Sequence, residues 1–442
     1  MGNSSYLEIS SFLEIRMNTG IPLIDKVLEI FPWDKCKELE KIEKLYYPDI
    51  RQILIELILL PILAFESIND MAASIGRSKD KYYEILKHPE IDWKAVFQEI
   101  TLNLFLAFLY LYANSTDPSF KSRWRIRLIL DDTLMRRWSL LIANAFNFWN
   151  HVDNHYMYGQ KPVFFIAVVG EDKFVFPLMF EFVLSAACQN RLTHVEIANE
   201  MLNQLNAVAI AAGLSLQGVR LTGDSGYTNK KIFHTAVEMG VEFYGSLSSS
   251  WKFTLDDGTP VSIGDLKKGN IPARMRQSGR MGREYYRLYL NHPDLGRVIV
   301  IVVPYHEVGT DKTKYWAYLC SKTDVDCLRV SKEHHLRWKI EGMFRAFKKN
   351  LGVCFYQGIS ETGQTAWFAL TGLRFIFLRF AFKIAARCPS LRWHIPMPKF
   401  GFARLTRYIR DNFVLVSKRF RIKCLHYRVV KERKGQLVLA VC

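Results

Sequence analysis

The chain of 442 residues is 49% hydrophobic, which supplies at least one large core and excludes a disordered or fibrous protein. Its 60 Lys and Arg against 43 Asp and Glu give a formal charge of +17. Such an excess indicates a polyanionic partner, because clustered cations gain free energy by displacing counterions from phosphates. Charge alone leaves DNA, RNA and an anionic membrane open as that partner.

Several features narrow the class of protein. The eight cysteines include no CxxC pair, so we expect neither a zinc knuckle nor a disulfide framework, and a reducing cytoplasm fits best. The first ten residues, MGNSSYLEIS, lack the basic segment followed by an apolar segment that is typical of a signal peptide. The apolar stretches ILIELILLPILAF and AWFALTGLRFIFLRFAF are too short or too charged to span a membrane and are predicted to be buried helices. Glycine-rich pieces such as GRMGRE lack the P-loop pattern, so no nucleotide is expected.

Residues 1–119 are mostly helical in pattern and are predicted to form an N-terminal DNA-binding domain with its own core. Within it, residues 68–86 have the spacing of a helix-turn-helix, with a glycine at the turn. Arg77 and Lys79 would then open the second helix and contact DNA. An ordinary helical hairpin with a solvated basic end is an equally good interpretation.

From about residue 120 the pattern changes to strands and helices in the order β-β-β-α-β-α-β, which predicts a mixed α/β layer structure over residues 120–248. The segment NFWNHVDNHYMYG is interpreted as a loop, and its two histidines are not expected to bind a metal. Residues 249–327 are rich in strands and glycine turns and are predicted to be a β-rich insertion. A strong helix from about 331 to 351 opens the part 328–387, and the basic, aromatic-rich region 388–442 favours contact with DNA.

Acidic residues follow two of the predicted strands. Asp131 and Asp132 come directly after RIRLIL, and Asp224 comes directly after GVRLTG. The ends of strands in α/β folds face the crevice where ligands bind. With a glutamate from a nearby helix, these aspartates would form an all-oxygen site suited to Mg²⁺ or Mn²⁺ and to phosphoryl transfer.

The helix HHLRWKIEGMFRAFKKNLG supplies that glutamate. At about 100° per residue, Arg337, Glu341 and Lys348 fall on one stripe beside the buried face, with His334 close by. A carboxylate flanked by cations can bind metal while its neighbours hold phosphates. Taken singly, each feature has a simpler explanation: Arg337 and Glu341 could form an ordinary ion pair, Asp131 could be a turn residue, and Asp224 could cap a helix.

These residues resemble the DDE transposases of bacterial insertion sequences, in the group related to insertion sequence four. The catalytic helix of that group has Tyr, two residues, Arg, three residues, Glu, six residues, then Lys. Here Arg337, Glu341 and Lys348 match in type and spacing, whereas His334 stands at the tyrosine position. The group's aspartates would be Asp131 in DDT and Asp224 in DSGY.

The resemblance covers roughly residues 120–385 and implies an RNase H-like mixed sheet flanked by helices, with a β-rich insertion before the catalytic glutamate. It implies cut-and-paste transposition at the inverted repeats of a mobile element, by a homodimer across two DNA ends. Arg337 and Lys348 would contact those ends, and Arg345 is a further candidate on the same helix. Trp251 of the insertion could stack on a flipped base, although buried aromatic side chains are more common.

Three functions remain open at this point: an active transposase, a catalytically inactive or domesticated relative that only binds DNA, and another RNase H-like nuclease such as a resolvase. The identity of the first aspartate is also open. Asp131 and Asp132 should lie on opposite faces of their strand, so only one of them can comfortably reach the metal ions.

Overall fold

The computed structural model describes most of the chain between residues 22 and 387. The predicted basic region 388–442, the glycine of the predicted helix-turn-helix and His151 lie outside the described residues. The described ranges are 22–62, 67–75, 77–150, 153–170, 174–185, 188–189, 191–271, 276–278, 284–306, 313–322, 324–325 and 327–387.

The first hundred described residues form helices, as the apolar periodicity predicts. Four helix starts have side-chain caps: Ser67, Ser78, Asp92 and Asp117 each accept a hydrogen bond from a backbone N–H of the first turn. The helices are α1 Pro22–Leu28, α2 Lys37–Leu45, α3 Ile50–Leu59, α4 Ile68–Ile75, α5 Lys79–Lys87, α6 Trp93–Asn114 and α7 Pro118–Arg123.

The second segment alternates strands and helices in the predicted order, with three short strands added. Its elements are β1 Ile126–Asp132, β2 Met135–Arg136, β3 Ala145–Asn150, β4 His155–Gln160, β5 Pro162–Val169, β6 Phe174–Phe182, α8 His194–Ala211, β7 Arg220–Gly223, α9 Lys230–Glu238 and β8 Glu242–Ser246. In the central sheet β1 pairs antiparallel with β5 and parallel with β7, and β7 pairs parallel with β8. Strand β6 lies beyond β5.

The segment NFWNHVDNHYMYG is not a loop, contrary to our expectation. Most of it forms the antiparallel strands β3 and β4, and β2 completes a small separate sheet in the order β2-β4-β3. The side chains of β3 and β4 are largely half-buried or exposed, and Phe148 is a partly buried side chain that packs against the core. The alternation that reveals a strand in sequence is therefore weak here.

The β-rich insertion is part of the central sheet. Its elements are β9 Lys252–Thr254, β10 Pro260–Ser262, α10 Ile263–Lys267, β11 Arg276–Ser278, β12 Glu284–His292, β13 Gly296–His306 and β14 Thr313–Cys320. Strand β14 pairs antiparallel with β8, so one sheet runs in the order β10-β9-β12-β13-β14-β8-β7-β1-β5-β6, with β11 beside β12.

Two long helices complete the described structure, α11 Cys327–Lys349 and α12 Glu361–Arg387. The most apolar part of α12 is 89% buried inside the protein. By length and composition, α12 and α6 are long and apolar enough to cross a membrane, and the corresponding part of α6 is 44% buried. Because most of its apolar part is buried inside the protein, α12 is a core helix of the fold.

The N-terminal helices do not have a core of their own, contrary to our expectation. One continuous hydrophobic cluster joins residues of α1–α6 to the central sheet and α12. Aromatic contacts join the N-terminal region to α12 and to the sheet. The ring centroids of Phe31 and Phe377 of α12 are 6.4 Å apart, and those of Phe97 of α6 and Phe180 of β6 are 5.6 Å apart. The helices α1–α6 therefore depend for their burial on elements from the other end of the described chain.

A buried arginine links α12 to α3. Arg374 is fully buried and donates hydrogen bonds to the carbonyls of Leu57, at 2.8 and 3.2 Å, and of Leu351, at 3.2 Å. Within a helix the Leu57 carbonyl would accept from residue 61, but Pro61 has no N–H to donate. Arg374 thus satisfies a carbonyl that the proline leaves free. Burial lowers the pKa of this guanidinium to about 9.

We expect Arg374→Met to lower the free energy of unfolding by roughly 1–3 kcal/mol, because it leaves these buried carbonyls without a donor. Urea unfolding of the purified protein measures the change. Arg345→Met, at an exposed position of α11, is the control and should change stability little. Equal stability of the two variants would contradict the role assigned to Arg374.

Candidate active site

Two aspartates meet where the parallel strands β1 and β7 end. Leu130 is the register partner of Gly223, so Asp131 and Asp224 occupy the next row. The antiparallel neighbour β5 offers only Phe164 opposite Asp131. The parallel pairing therefore sets two carboxylates side by side, as the positions of the strand ends predict.

Asp131 is buried, and its carboxyl group is hard to ionise. Burial, followed by the charge of Asp224, raises its pKa to about 7. Arg337 opposes this rise, and the backbone N–H of Asp132 donates to Asp131 Oδ1 at 2.9 Å. Burial and the repulsion between two adjacent carboxylates therefore outweigh the favourable charge of Arg337.

Asp224 is fixed by the turn that follows β7. Its Oδ1 accepts from the backbone N–H of Gly226 at 2.8 Å and of Tyr227 at 3.2 Å. Gly223 before it must be a glycine, since a Cβ there would lie 2.8 Å from the Cβ of Tyr227. The motif GDSGY therefore forms a tight turn that orients the carboxylate.

Asp132 faces different partners from Asp131. Its Oδ2 accepts from the hydroxyl of Tyr227 at 3.0 Å, and its Oδ1 lies 3.3 Å from Lys161 Nζ. Asp131 instead contacts α11 through Arg337. The two neighbours thus have separate environments, and of the two it is Asp131 that is tied to the helix carrying Glu341.

Arg337 joins two of the candidate carboxylates. Its Nη1 donates to Asp131 Oδ2 at 2.8 Å and its Nη2 donates to Glu341 Oε1 at 3.1 Å. The ordinary ion pair between Arg337 and Glu341 is thus present, but the same guanidinium also reaches the sheet. A cation therefore already lies between Asp131 and Glu341.

The remaining predicted residues of α11 lie around this point. Lys348 Nζ donates to Thr133 Oγ1 at 2.7 Å, which ties the helix to the DDT motif after β1. Arg345 is exposed one turn beyond Glu341. His334 lies 3.3 Å from Ser246 Oγ, and burial, followed by the charge of Arg337, lowers its pKa to about 4. His334 is therefore neutral at pH 7.

The donor set suits a hard divalent cation. Among the residues that the structure describes, no three His, Cys, Asp or Glu side chains converge closely enough to hold an ion. Asp131 and Asp224 are nevertheless adjacent, and Arg337 connects Glu341 to Asp131. Carboxylate oxygens are the ligands that Mg²⁺ and Mn²⁺ prefer, and two carboxylates lie side by side in this row. These residues therefore fit such an ion in the type of their donor atoms, and Arg337 occupies the space between Asp131 and Glu341.

Trp251 lies in the insertion, directly before β9. Its ring stacks on Phe253 with centroids 5.8 Å apart and lies 5.3 Å from the ring of His292. It borders a cavity of about 530 Å³ together with Lys230 and Lys252. Trp251 is half-buried, so part of its ring packs against the core.

The two basic residues predicted to open a recognition helix differ in their surroundings. Helices α4 and α5 occupy the predicted positions. Arg77 Nη1 lies 2.6 Å from Asp49, and its Nη2 lies 3.3 Å from Glu56, so Arg77 forms ion pairs with α3 and the residue before it. Lys79 is exposed. Of this pair, Lys79 remains accessible to a partner, and Arg77 has a structural role.

Sequence reasoning missed a buried ionic cluster beside the site. Glu333 of α11 contacts Arg127 of β1 and Arg220 of β7. A signal was present, because each arginine interrupts an apolar strand, and each lies four residues before one of the candidate aspartates. The sequence around the two arginines did not identify Glu333 as their partner, because it lies more than one hundred residues away along the chain.

Comparison with known families agrees with this geometry. The family model described as the transposase DDE domain matches residues 126–355, which is more than half of the chain. The chain belongs to this family. The match begins at β1 and extends past Glu341, so it includes all three candidate carboxylates. A search of curated proteins finds no match.

Membership of the transposase DDE domain family implies an enzyme of nuclease or transposition chemistry, and divalent metals are generally used in this family. The fold is consistent with it: a large mixed sheet flanked by helices fits a DDE, RNase H-like transposase.

The raised pKa of Asp131 predicts how stability depends on pH. The unfolded chain ionises this carboxyl near its usual value of 3.8, whereas the folded protein retains the proton up to about pH 7. Between these values the folded state binds more protons, so this group makes the metal-free protein less stable as pH rises. Asp131→Asn resembles the protonated form and lacks this loss.

We therefore expect the stability of Asp131→Asn relative to the wild type to increase between pH 5 and pH 8. Urea unfolding in the presence of EDTA measures it at both pH values. A difference between the two proteins that does not change with pH would contradict the predicted state of Asp131.

Proposed function

We propose that this protein is the transposase of a bacterial insertion sequence, in the group related to insertion sequence four, and that it cuts and joins DNA by a cut-and-paste reaction. The observation that carries the proposal is the row formed by Asp131 and Asp224, linked through Arg337 to Glu341, within a chain of the transposase DDE domain family. Double-stranded DNA at the ends of the element and at the target is the proposed substrate.

Asp131, Asp224 and Glu341 are the proposed catalytic residues and ligands of Mg²⁺ or Mn²⁺. A pair of such ions would activate the attacking water or 3′ hydroxyl and stabilise the leaving oxygen of the phosphodiester. The protein's part is to hold the carboxylates in place. The pairing of β1 with β7 and the turn around Asp224 do this from the sheet, and α11 does it from the opposite side.

The cations of α11 are proposed to bind the DNA backbone beside the carboxylates. Arg337 and Lys348 flank Glu341, and the buried Nε of Arg337 has no hydrogen-bond partner among the described residues. Both side chains could donate to the oxygens of a phosphate placed at the row of carboxylates. We assign His334 to the same surface, as a neutral group next to Arg337.

A basic surface continues around α11 from this point. Trp338 is 54% exposed, and Arg345 and Lys349 are exposed on the neighbouring stripe of the helix. These three residues border a cavity of about 630 Å³ between α11 and α12. Its lining residues include further lysines and an arginine but no carboxylate. We propose that DNA phosphates bind along this surface, where Trp338 can stack on a base.

Residues outside α11 are also proposed to contact DNA. Trp251, with Lys230 and Lys252 at its cavity, is proposed to stack on a base displaced from the helix, and Lys79 to contact DNA from α5. Arg77 belonged to the same prediction, but its ion pairs with Asp49 and Glu56 engage it inside the protein. A homodimer acting on two DNA ends in the bacterial cytoplasm completes the proposal.

The alternative is a catalytically inactive relative that only binds DNA. The observation that favours it is the guanidinium of Arg337, which lies between Asp131 and Glu341 where an active site needs metal. An inactive protein could retain this ion pair permanently. The two functions differ in one result, which is cleavage of DNA ends in the presence of a divalent metal.

We expect Glu341→Gln to reduce cleavage of the element's ends by roughly 10³-fold or more, because it removes a charged ligand while preserving the shape of the side chain. Binding to the same DNA, measured by mobility shift, should persist. Glu200→Gln, at an exposed position of α8, is the matched control and should cleave like the wild type. Normal cleavage by Glu341→Gln would exclude the assignment, and a wild type that binds but never cleaves would favour the inactive relative.

The basic surface gives a second prediction. Removing Arg345 and Lys349 together, as R345A/K349A, should weaken DNA binding and reduce the slope of log affinity against log salt by about 0.9 for each phosphate that the variant no longer neutralises. The control is K26A/K44A, because these exposed lysines are already paired with Glu29 and Glu40. Equal slopes for the two double variants would remove this surface from the DNA path.

A further inference from the structure

We propose that Glu333 is a positioning residue: with Arg127 and Arg220 it forms a buried ionic cluster that fixes how far α11 lies along β1 and β7. The position of Glu341, which lies on the same helix, relative to Asp131 and Asp224 depends on that placement of α11. The catalytic meaning of this inference rests on the function proposed above, whereas its structural content does not.

The cluster is buried and closely paired. Arg127 Nε donates to Glu333 Oε2 at 2.6 Å, and Arg220 Nη1 donates to the other oxygen, Oε1. The side chains of the two arginines are 4% exposed and that of Glu333 is 1% exposed. One carboxylate therefore receives a guanidinium from each of the two strands that carry the candidate catalytic aspartates.

The positive charges of the cluster form one row across the sheet. Arg127 is the register partner of Arg220, and Arg220 is the register partner of Glu242 on β8. Glu242 accepts from Arg220 at 3.0 Å and from Lys322 at 2.7 Å. Arg220 is thus held between two carboxylates, while Arg127 depends on Glu333 and on the carbonyl of Gly170 at 3.3 Å.

Spacing connects this row to the candidate active site. Asp131 follows Arg127 by four residues on β1. Asp224 likewise follows Arg220, the first residue of β7, by four residues. Four residues correspond to a rise of about 13 Å along a strand. Glu341 follows Glu333 by eight residues on α11, which is a rise of about 12 Å along a helix. The helix crosses the sheet, contacting β8, β7 and β1, and between Glu333 and Glu341 it carries Arg337, which donates to Asp131. The cluster and Arg337 thus fix α11 to β1 at two places, and Glu341 lies one turn beyond the second.

Charged residues fix this position better than apolar ones could. Packing of apolar side chains is non-directional, and a helix shifted along a sheet can find new apolar contacts. A shift by one turn, about 5.4 Å, would instead leave Glu333 and both arginines buried without partners. Buried ion pairs add little net stability over apolar residues of similar size, and specifying register is their best attested use.

The experiment replaces the whole cluster with apolar residues in the triple variant R127M/E333M/R220M. Removal of all three charges leaves no buried ion of the cluster unpaired, and Glu242 keeps its contact with Lys322. The melting temperature should therefore stay within a few degrees of the wild type or rise. We expect the Mn²⁺ affinity of the metal-free protein, measured by calorimetry, to fall at least tenfold, and cleavage with Mg²⁺ to fall by more than cleavage with Mn²⁺. DNA binding without metal should be unchanged.

The matched control is K94M/E181M, which removes another ion pair between a helix and the same sheet, α6 with β6, at 2.6 Å. It should leave Mn²⁺ affinity and cleavage unchanged. If the triple variant folds and behaves like this control, the cluster has only a structural role and the proposal is wrong. If the triple variant does not fold, the single variant Glu333→Gln at low temperature provides the same Mn²⁺ measurement, with the same two outcomes.

A crystal structure of the triple variant separates this inference from the proposed function. Displacement of α11 along β1 supports the positioning role, and an unmoved α11 overturns it, whether or not the wild type cleaves DNA. Absence of cleavage and of Mn²⁺ binding in the wild type itself would instead overturn the proposed function.

Discussion

The parallel pairing of β1 with β7 is the constraint on which the site depends. Backbone hydrogen bonds of these strands place Leu130 beside Gly223 and so place Asp131 beside Asp224. No side-chain interaction is needed to bring the carboxylates together. The protein consequently holds two acidic groups in a partly buried row at all times, and the packing around them must supply compensating cations.

Helix α11 provides that compensation through charges that alternate along its contact with the sheet. Near its beginning, a glutamate of the helix meets arginines of the strands; one turn later, Arg337 of the helix meets Asp131 of the strand. The two surfaces are therefore complementary in sign at two levels. Such a pattern matches one alignment of helix and sheet and penalises the others, since any shift brings unpaired or like charges together.

Sequence predicted those features that have a local pattern and missed those that depend on distant partners. The buried run of β5, the order of β1, β7 and β8, and the stripe of Arg337, Glu341 and Lys348 are all visible in short windows of residues. The pairing of β14 with β8 joins segments some seventy residues apart, so no periodicity reveals it. Likewise, the sequence placed Arg77 on the surface of a recognition helix. Its partners are distant in sequence: Glu56 lies on α3 and Asp49 directly precedes α3.

The continuous sheet from β6 to β10 has a mechanical consequence. Because β14 is hydrogen-bonded to β8, the insertion cannot swing away from the strands that carry the aspartates without breaking backbone hydrogen bonds. The position of the insertion relative to Asp131 is therefore set by the backbone pairing of this sheet. Under the function proposed above, a DNA duplex in contact with both Trp251 and Asp131 would have to bend or unstack to fit the protein, so sequences that deform easily would bind best.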